Sequence, residues 1–132
     1  MAKKDSAKTR IAVIDDEEIL LQTFSSLMRQ FGYAADFFPD PLKALDTIIT
    51  NPGRYNLIIA DIKMPGMDGI TFVRRIRGVF PQVPIIFMTG GVPEEIRQEA
   101  LGLGNVMYLE KPFPLEATLK DAIPKLLGKV SP

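Results

Sequence analysis

The stretch "LIIADIKMPGMDGI", residues 57–70, runs from an apolar segment through a single carboxylate into a loop broken by proline and glycine. The apolar residues before Asp61 are typical of a strand that is covered on both faces. Asp68 can cap a helix that starts just after the loop, and Gly78 is placed to end that helix. The stretch therefore predicts a strand–loop–helix unit with a carboxylate at the carboxyl end of the strand.

The same unit recurs along the chain. Five apolar, β-branched runs occur in order: "RIAVID", "YAADFF", "NLIIAD", "PIIFMT" and "VMYLEK". Segments with helical spacing separate them, and the first is followed by Gly32, which can stop a helix. Strict alternation of strand and helix predicts right-handed crossovers and an α/β fold, with helices on both faces of a parallel sheet.

Several helix details follow from local signals. Asp40 and Pro41 indicate an N-cap and a first helical position, and Pro93 indicates the start of a short fourth helix. Pro124 lies within the last helical pattern, where it predicts a kink or a shorter helix. The apolar positions expected to face the sheet are Leu20, Phe24, Leu27 and Phe31 in the first helix, Leu42, Leu45 and Ile49 in the second, and Leu115, Leu119, Ala122 and Leu126 in the last.

Composition narrows the range of functions. The 132 residues suit one domain, and 16 basic and 16 acidic residues cancel, so no general attraction to nucleic acid or anionic membrane is expected. Cysteine and histidine are absent, which excludes disulfides, thiolate or imidazole metal sites and a Ser-His triad. We expect a cytoplasmic protein without a signal peptide or a membrane span.

Reactive side chains stand where four of the five strands should end. The first strand ends in Asp15 and Asp16, the third in Asp61, the fourth in Thr89 and the fifth in Lys111. The second strand ends without a reactive group. This pattern suits the strand order 2-1-3-4-5, in which the second strand is an edge and the first and third flank the crevice where ligands bind.

These groups together indicate phosphoryl transfer. Clustered carboxylates repel one another, and Mg²⁺, which prefers oxygen ligands, would relieve that repulsion. A carboxylate nucleophile, a metal, an ammonium and a hydroxyl suit a reaction in which the protein positions groups and stabilises charge. Taken singly, each residue has a simpler interpretation: a helix cap, a loop aspartate, a strand-end threonine and a solvated lysine. Four separate strand ends that supply one coherent site favour the functional interpretation.

The ordered motifs "VIDDEE", "LIIADIKMPGMDGI", "IIFMTG" and "YLEKPF" resemble the response-regulator receiver domain of two-component signalling. The resemblance covers residues 9–129, which leaves residues 1–8 as a disordered or solvated tail and 130–132 as a C-terminal tail. It implies a flavodoxin-like (βα)5 fold. It also implies that Asp61 accepts a phosphoryl group from a histidine kinase or a phosphotransfer protein.

The resemblance assigns further roles. It implies that Mg²⁺ is bound by Asp16, Asp61 and the backbone carbonyl of Lys63, with Asp15 reaching the ion through water.

It implies in addition that Thr89 and Lys111 contact the phosphoryl oxygens and that Tyr108 forms the switch together with Thr89. The Lys111–Pro112 peptide bond is expected to be cis.

Two departures from the family pattern concern the lifetime of the phosphoryl group and the mobility of the fourth helix. The family often carries small polar or charged residues two positions after the phospho-acceptor and two after the threonine. Here those positions are Lys63 and Gly91, so both are expected to tune dephosphorylation. The segment "GLGNV", residues 102–106, replaces the usual lead-in to the fifth strand, which indicates a short or mobile fourth helix.

The expected function is a phosphorylation-controlled signalling module that catalyses only its own phosphorylation and dephosphorylation. Its output surface is expected to comprise residues 93–101, 106–110 and 115–127, the face of the fourth helix, fifth strand and fifth helix. That face would bind an effector or a second copy of the chain, with no direct contact to nucleic acid or membrane. The residues expected to be exposed on it are Glu95, Arg97, Glu99, Lys120 and Lys125.

Three alternatives stay open. The chain could be a receiver-like scaffold that is not phosphorylated, or a phosphate sink without its own output. An aspartate-nucleophile phosphohydrolase would also use a carboxylate and Mg²⁺, but "DDEEI" differs from the D-x-D-x-[TV] pattern of that class. The chain is expected to be either a stand-alone receiver or one domain of a longer regulator.

Overall fold

The computed structural model describes residues 9–130, so residues 1–8 and 131–132 of the expected tails lie outside the described residues. Strands and helices alternate throughout. Their bounds are β1 Arg10–Ile14, α1 Glu18–Phe31, β2 Ala34–Phe38, α2 Pro41–Thr50, β3 Leu57–Asp61, α3 Gly69–Val79, β4 Ile85–Thr89, α4 Glu94–Leu101, β5 Val106–Glu110 and α5 Leu115–Val130. α5 therefore extends to Val130, the first residue of the expected C-terminal tail at 130–132.

The sheet confirms the predicted strand order. Five parallel strands are arranged as β2-β1-β3-β4-β5. Asp61 pairs with Met88 across β3 and β4, and Thr89 pairs with Glu110 across β4 and β5. The carboxyl ends of these strands therefore lie level with one another, and the residues that follow them meet at one edge of the sheet.

Two apolar cores cover the two faces of the sheet. One contains side chains of α2, α3 and α4, and the other contains side chains of α1 and α5. All five residues of β3 and of β4 are buried, as continuous apolar strands between two helical layers should be. Within the described part of the chain, no helix is long and apolar enough to cross a bilayer.

The helix-end signals hold at three positions. Gly32 ends α1 in the left-handed conformation with φ of 88°, a geometry that glycine adopts without a Cβ clash. Asp40 caps α2 by accepting a hydrogen bond from the Leu42 amide at 3.0 Å, with Pro41 at the first helical position.

Leu42 is 52% exposed, so the prediction that it faces the core was wrong. The buried side of α2 carries Pro41, Ala44, Leu45 and Ile48, and Leu42 projects away from that side.

Two expected helix breaks do not shorten their helices. α3 continues past Gly78 to Val79, and the Phe80 amide still bonds to the Ile76 carbonyl at 2.6 Å. Glycine ends a helix when it adopts the left-handed conformation, and Gly78 does not adopt a positive φ. α5 runs for 16 residues through Pro124.

The unusual lead-in to β5 is held by a guanidinium. Arg77 at the end of α3 donates to five backbone carbonyls, those of Phe80, Val83, Leu103, Gly104 and Asn105. Asn105 has φ of 53° and donates from Nδ2 to the Gln82 carbonyl at 2.8 Å. α4 is short, with 8 residues, as expected from the sequence. The loop that follows it is fixed to the loop that precedes β4.

Candidate functional site

Asp61 lies at the end of β3 with 6% of its surface exposed. Its Oδ1 accepts a hydrogen bond from the Lys63 amide at 3.1 Å, which fixes the carboxylate over the loop that follows. The loop returns closely to the strand, since the Gly69 amide donates to the Ile62 carbonyl at 2.7 Å. A Cβ on Gly69 would lie 2.3 Å from the Asp61 carbonyl oxygen. Only glycine lets the start of α3 approach β3 this closely.

Three carboxylates meet at this edge of the sheet. Ligand oxygens of Asp15, Asp16 and Asp61 all lie within 4.8 Å of one another. Asp15 is fully buried and its Oδ1 accepts from the Glu17 amide at 2.8 Å, whereas its Oδ2 has no hydrogen-bond partner among the described residues. Asp16 is exposed, so the cluster opens to solvent on one side.

Lys111 is the cation that reaches this cluster. Its Nζ lies 3.3 Å from Asp61 Oδ2, 3.8 Å from Asp15 Oδ2 and 3.9 Å from Glu17 Oε1. Its amide donates to the Thr89 carbonyl at 2.7 Å, which ties the residue after β5 to the end of β4. One ammonium thus faces several carboxylates, and the site keeps an excess of negative charge.

The pKa of Asp15 shows the energetic consequence. The pKa is raised from 3.8 to about 6, mainly because the carboxyl is buried, and the neighbouring carboxylates of Asp61 and Glu17 act in the same direction. The Glu17 amide and Lys111 act in the opposite direction but do not cancel the effect of burial. Ionised Asp15 is therefore under-stabilised by the protein's own groups, as a ligand for a cation would be.

Two buried hydroxyls near this edge also lack hydrogen-bond partners among the described residues. Thr89 is fully buried, and neither its Oγ1 nor the hydroxyl of Tyr108 is bonded. A buried hydroxyl without a partner is disfavoured by ~1–3 kcal/mol, so such groups are uncommon in folded proteins. The Thr89 hydroxyl is a donor available to an oxyanion at the end of the sheet.

The donor set fits a hard divalent cation. Carboxylate oxygens of Asp15, Asp16 and Asp61 are the ligand type that Mg²⁺ prefers, and they are close enough to surround one ion or its waters. The unpartnered Asp15 Oδ2 and the excess negative charge are what such a cation would satisfy. Hard oxygen donors with one open side can also admit a phosphoryl oxygen to the ion.

The remaining predicted site residues lie around this cluster. Lys63 is exposed on the loop after β3, and Gly91 after β4 has φ of 126°. The Lys111–Pro112 peptide bond is cis. Tyr108 is half-buried on β5 and packs against the core beneath α4.

Two side chains on the expected output face were misjudged. Glu95, Lys120 and Lys125 are exposed as expected, but Arg97 and Glu99 are half-buried and have partners. Arg97 lies over the Tyr108 ring and pairs with Glu94. Glu99 pairs with Arg74 of α3. Arg97 and Glu99 were predicted to be exposed because they are charged. Their partners Tyr108 and Arg74 lie on other elements and cannot be identified from residue type.

Sequence reasoning also missed two contributors to the site. Glu17 supplies an amide to Asp15 and a carboxylate near Lys111. Gly69 permits the close approach of α3 to β3. Asp68 was identified as the cap of α3, and it accepts a hydrogen bond from the Thr71 amide at 2.9 Å. Gly69 directly follows this cap, and a glycine at that position was the sequence signal for a close approach of α3 to β3.

Comparison with known proteins agrees with this geometry. The family described as "Response regulator receiver domain" matches residues 11–123. The transcriptional regulatory protein FixJ of Bradyrhizobium diazoefficiens is 34% identical in an alignment of 122 positions that covers 89% of this chain and 58% of that protein. RprY of Bacteroides fragilis is 31% identical over 83% of this chain and 45% of its own length. The chain thus spans about half the length of these curated relatives.

Solved structures share the fold. A response regulator receiver domain protein from Clostridium thermocellum has a TM-score of 0.85 at 27% identity, covering 92% of this chain and 95% of that one. The receiver domain of the sensor histidine kinase PA1611 from Pseudomonas aeruginosa has a TM-score of 0.80 at 28% identity, covering 92% and 99%. That structure has a magnesium ion coordinated in its active-site cleft.

The close approach at Gly69 predicts opposite effects for two glycine-to-alanine changes. Gly69→Ala places a methyl group against the β3 backbone and should lower the free energy of unfolding by ~1–3 kcal/mol. Gly78→Ala lies in the same helix with no atom within 4 Å of the added Cβ, so it should raise that free energy by ~0.5–1 kcal/mol. Urea denaturation measures both, and equal effects of the two changes would contradict the predicted constraint.

The raised pKa of Asp15 predicts a pH-dependent gain in stability for Asp15→Asn in the absence of divalent metal. A carboxyl whose folded pKa exceeds its unfolded value destabilises the fold as pH rises through that interval, here from 3.8 to about 6. At pH 7.5 the free energy of unfolding of Asp15→Asn, measured by urea denaturation, should therefore exceed that of wild type by ~1–3 kcal/mol. Below pH 4 the two free energies should agree.

A matched control for this comparison is Asp46→Asn on the exposed side of α2. It should remain within ~0.5 kcal/mol of wild type at both pH values. A constant difference between Asp15→Asn and wild type across pH would show that burial does not perturb Asp15.

Proposed function

Since the chain belongs to the response regulator receiver domain family, we propose that it is a phosphorylation-controlled signalling module whose phospho-acceptor is Asp61. The observation that carries this proposal is the arrangement around that carboxylate. Asp61 lies at the end of the central strand β3, 3.3 Å from Lys111 Nζ and within reach of two further carboxylates. The donor of the phosphoryl group is a histidine kinase or a phosphotransfer protein.

The proposed cofactor is Mg²⁺. Asp16, Asp61 and the backbone carbonyl of Lys63 would hold it, and Asp15 would reach it through water. When bound, the ion neutralises charge among the carboxylates and on the incoming phosphoryl oxygens. The compact cluster of Asp15, Asp16 and Asp61 supports this assignment, as does the magnesium ion in the related PA1611 receiver domain.

The chain's own residues account for the rest of the transfer. An Asp61 carboxylate oxygen attacks the phosphorus of a phosphohistidine whose other ring nitrogen is protonated, the phosphorus–nitrogen bond breaks, and the ring leaves as neutral imidazole. The Lys63 amide holds the carboxylate in place. Lys111 and the Thr89 hydroxyl contact the phosphoryl oxygens, which spreads their charge over fixed donors. Water later hydrolyses the acyl phosphate, at a rate tuned by Lys63 and Gly91.

The phosphoryl group then changes the domain's shape. It carries close to two negative charges, which draw the Thr89 hydroxyl toward the new oxyanion. Tyr108, on the neighbouring strand, responds to the movement of Thr89. The signal leaves through the face formed by α4, β5 and α5, which binds an effector or a second copy of the chain. We assign this activity to a cytoplasmic domain of residues 9–129 that catalyses only its own phosphorylation and dephosphorylation.

Intact-mass measurement tests the acceptor. Incubation with acetyl phosphate and Mg²⁺ should add one phosphoryl group to the wild-type chain. The adduct should be absent without Mg²⁺, because the carboxylate cluster then repels the donor. Asp61→Asn should not form the adduct. Asp68→Asn, a control seven residues along in the same loop, should form it at close to the wild-type rate.

An adduct that persists in Asp61→Asn would reject the assignment of the acceptor. If phosphorylation occurs but changes neither self-association nor binding to any kinase or effector, the domain acts as a phosphate sink. Light scattering and pull-down experiments with and without beryllofluoride distinguish these outcomes.

A further inference from the structure

The Tyr108 side chain occupies a position that costs free energy, because its hydroxyl is buried without a hydrogen bond. Its ring packs against the core beneath α4, while its hydroxyl is buried without a hydrogen-bond partner among the described residues. Rotation toward solvent would let water bond to the hydroxyl. Ring burial and another contact must therefore offset the penalty of the inward position.

A guanidinium from α4 supplies that contact. Arg97 Cζ lies 5.5 Å from the centroid of the Tyr108 ring, within the range at which a cation is attracted to an aromatic face. Glu94, one turn earlier on α4, orients the guanidinium through a 3.3 Å contact and also accepts from Gln98 at 2.7 Å. The contact joins α4 to β5 through the one aromatic side chain of that strand.

We propose that Arg97 is a positioning residue whose guanidinium, held by Glu94 and stacked on the Tyr108 ring, sets the fraction of molecules in which Tyr108 points inward. Removal of the guanidinium uncovers the ring face and leaves the unpaired hydroxyl in place. The inward position then loses population to the outward one.

The sheet couples this equilibrium to the phosphoryl site. Tyr108 pairs with Phe87, two residues before Thr89, and the Lys111 amide donates to the Thr89 carbonyl at 2.7 Å. This step rests on the proposed function: movement of Thr89 toward a phosphoryl group on Asp61 enlarges the space available to an inward Tyr108. Each event then favours the other, and the coupling is reciprocal. Arg97 thereby raises the affinity of the domain for a phosphoryl mimic.

The experiment uses ¹⁹F NMR of the full chain labelled with 3-fluorotyrosine. The chain has 3 tyrosines, so Tyr108→Phe identifies the resonance of interest, and Tyr55, which is 8% exposed, serves as a buried reference. The variants are Arg97→Ala, Arg97→Lys and the control Arg75→Ala on the exposed side of α3. The solvent isotope shift of the Tyr108 resonance is measured without ligand, and beryllofluoride is then titrated in the presence of Mg²⁺.

Arg97→Ala should increase the solvent isotope shift of Tyr108 and leave that of Tyr55 unchanged. It should also weaken beryllofluoride binding about 2- to 10-fold, the range expected for loss of a partly exposed cation–π contact. Arg97→Lys should retain part of both properties because an ammonium also attracts a ring face. Arg75→Ala should match wild type.

Three results would overturn the proposal. An unchanged Tyr108 shift in Arg97→Ala would show that the guanidinium does not hold the ring. An equal change in Arg75→Ala would show that the effect is not specific. A larger shift without weaker beryllofluoride binding would remove the coupling. Absence of beryllofluoride binding to the wild-type chain would instead reject the proposed function, and the ligand-free spectra would still test the role of Arg97.

Discussion

The repulsion among Asp15, Asp16 and Asp61 is the constraint around which the carboxyl edge of the sheet is organised. Their ligand oxygens lie within 4.8 Å of one another, and Asp15 is fully buried. Lys111 offsets part of this repulsion but stands 3.8 Å from Asp15 and 3.3 Å from Asp61. The fold thus maintains an electrostatically unfavourable cluster, and the pKa of Asp15 is raised to about 6, chiefly by burial and in addition by the charge of Asp61. Such strain at a polar site is characteristic of functional centres, where a ligand completes the balance of charge.

The parallel sheet makes this cluster possible with few residues. Because β1, β3, β4 and β5 are consecutive in the sheet and run in one direction, their last residues lie at the same edge. The buried strands supply rigidity, and the close approach allowed by Gly69 fixes the loop after β3. Arg77 holds the connection between α4 and β5 through backbone carbonyls. α4 is therefore anchored at its end, and its side chains Arg97 and Glu99 contact β5 and α3.

Much of this arrangement was accessible from sequence because it depends on local signals. Continuous apolar runs identified the strands, and reactive strand ends indicated their order. Asp40 marked a helix start by its side-chain cap, and Gly32 marked a helix end by its left-handed backbone. The errors have a different origin. Leu42 was placed in the core from spacing alone, yet the buried side of α2 is set by what α2 packs against. Arg97 was judged exposed because its charge is visible in the sequence and its aromatic partner on β5 is not.

If a divalent cation completes the carboxylate cluster, increasing Mg²⁺ should stabilise the fold, and thermal unfolding measures this effect. Any ligand that binds only the folded state raises its melting temperature by mass action. The melting temperature of the wild-type chain should rise with Mg²⁺ until the site is saturated, and Asp16→Ala should abolish this rise. Without metal, the melting temperature of Asp16→Ala should equal or exceed that of wild type because one repelling charge is gone. An identical Mg²⁺ response in wild type and Asp16→Ala would show that no cation is bound by this cluster through Asp16.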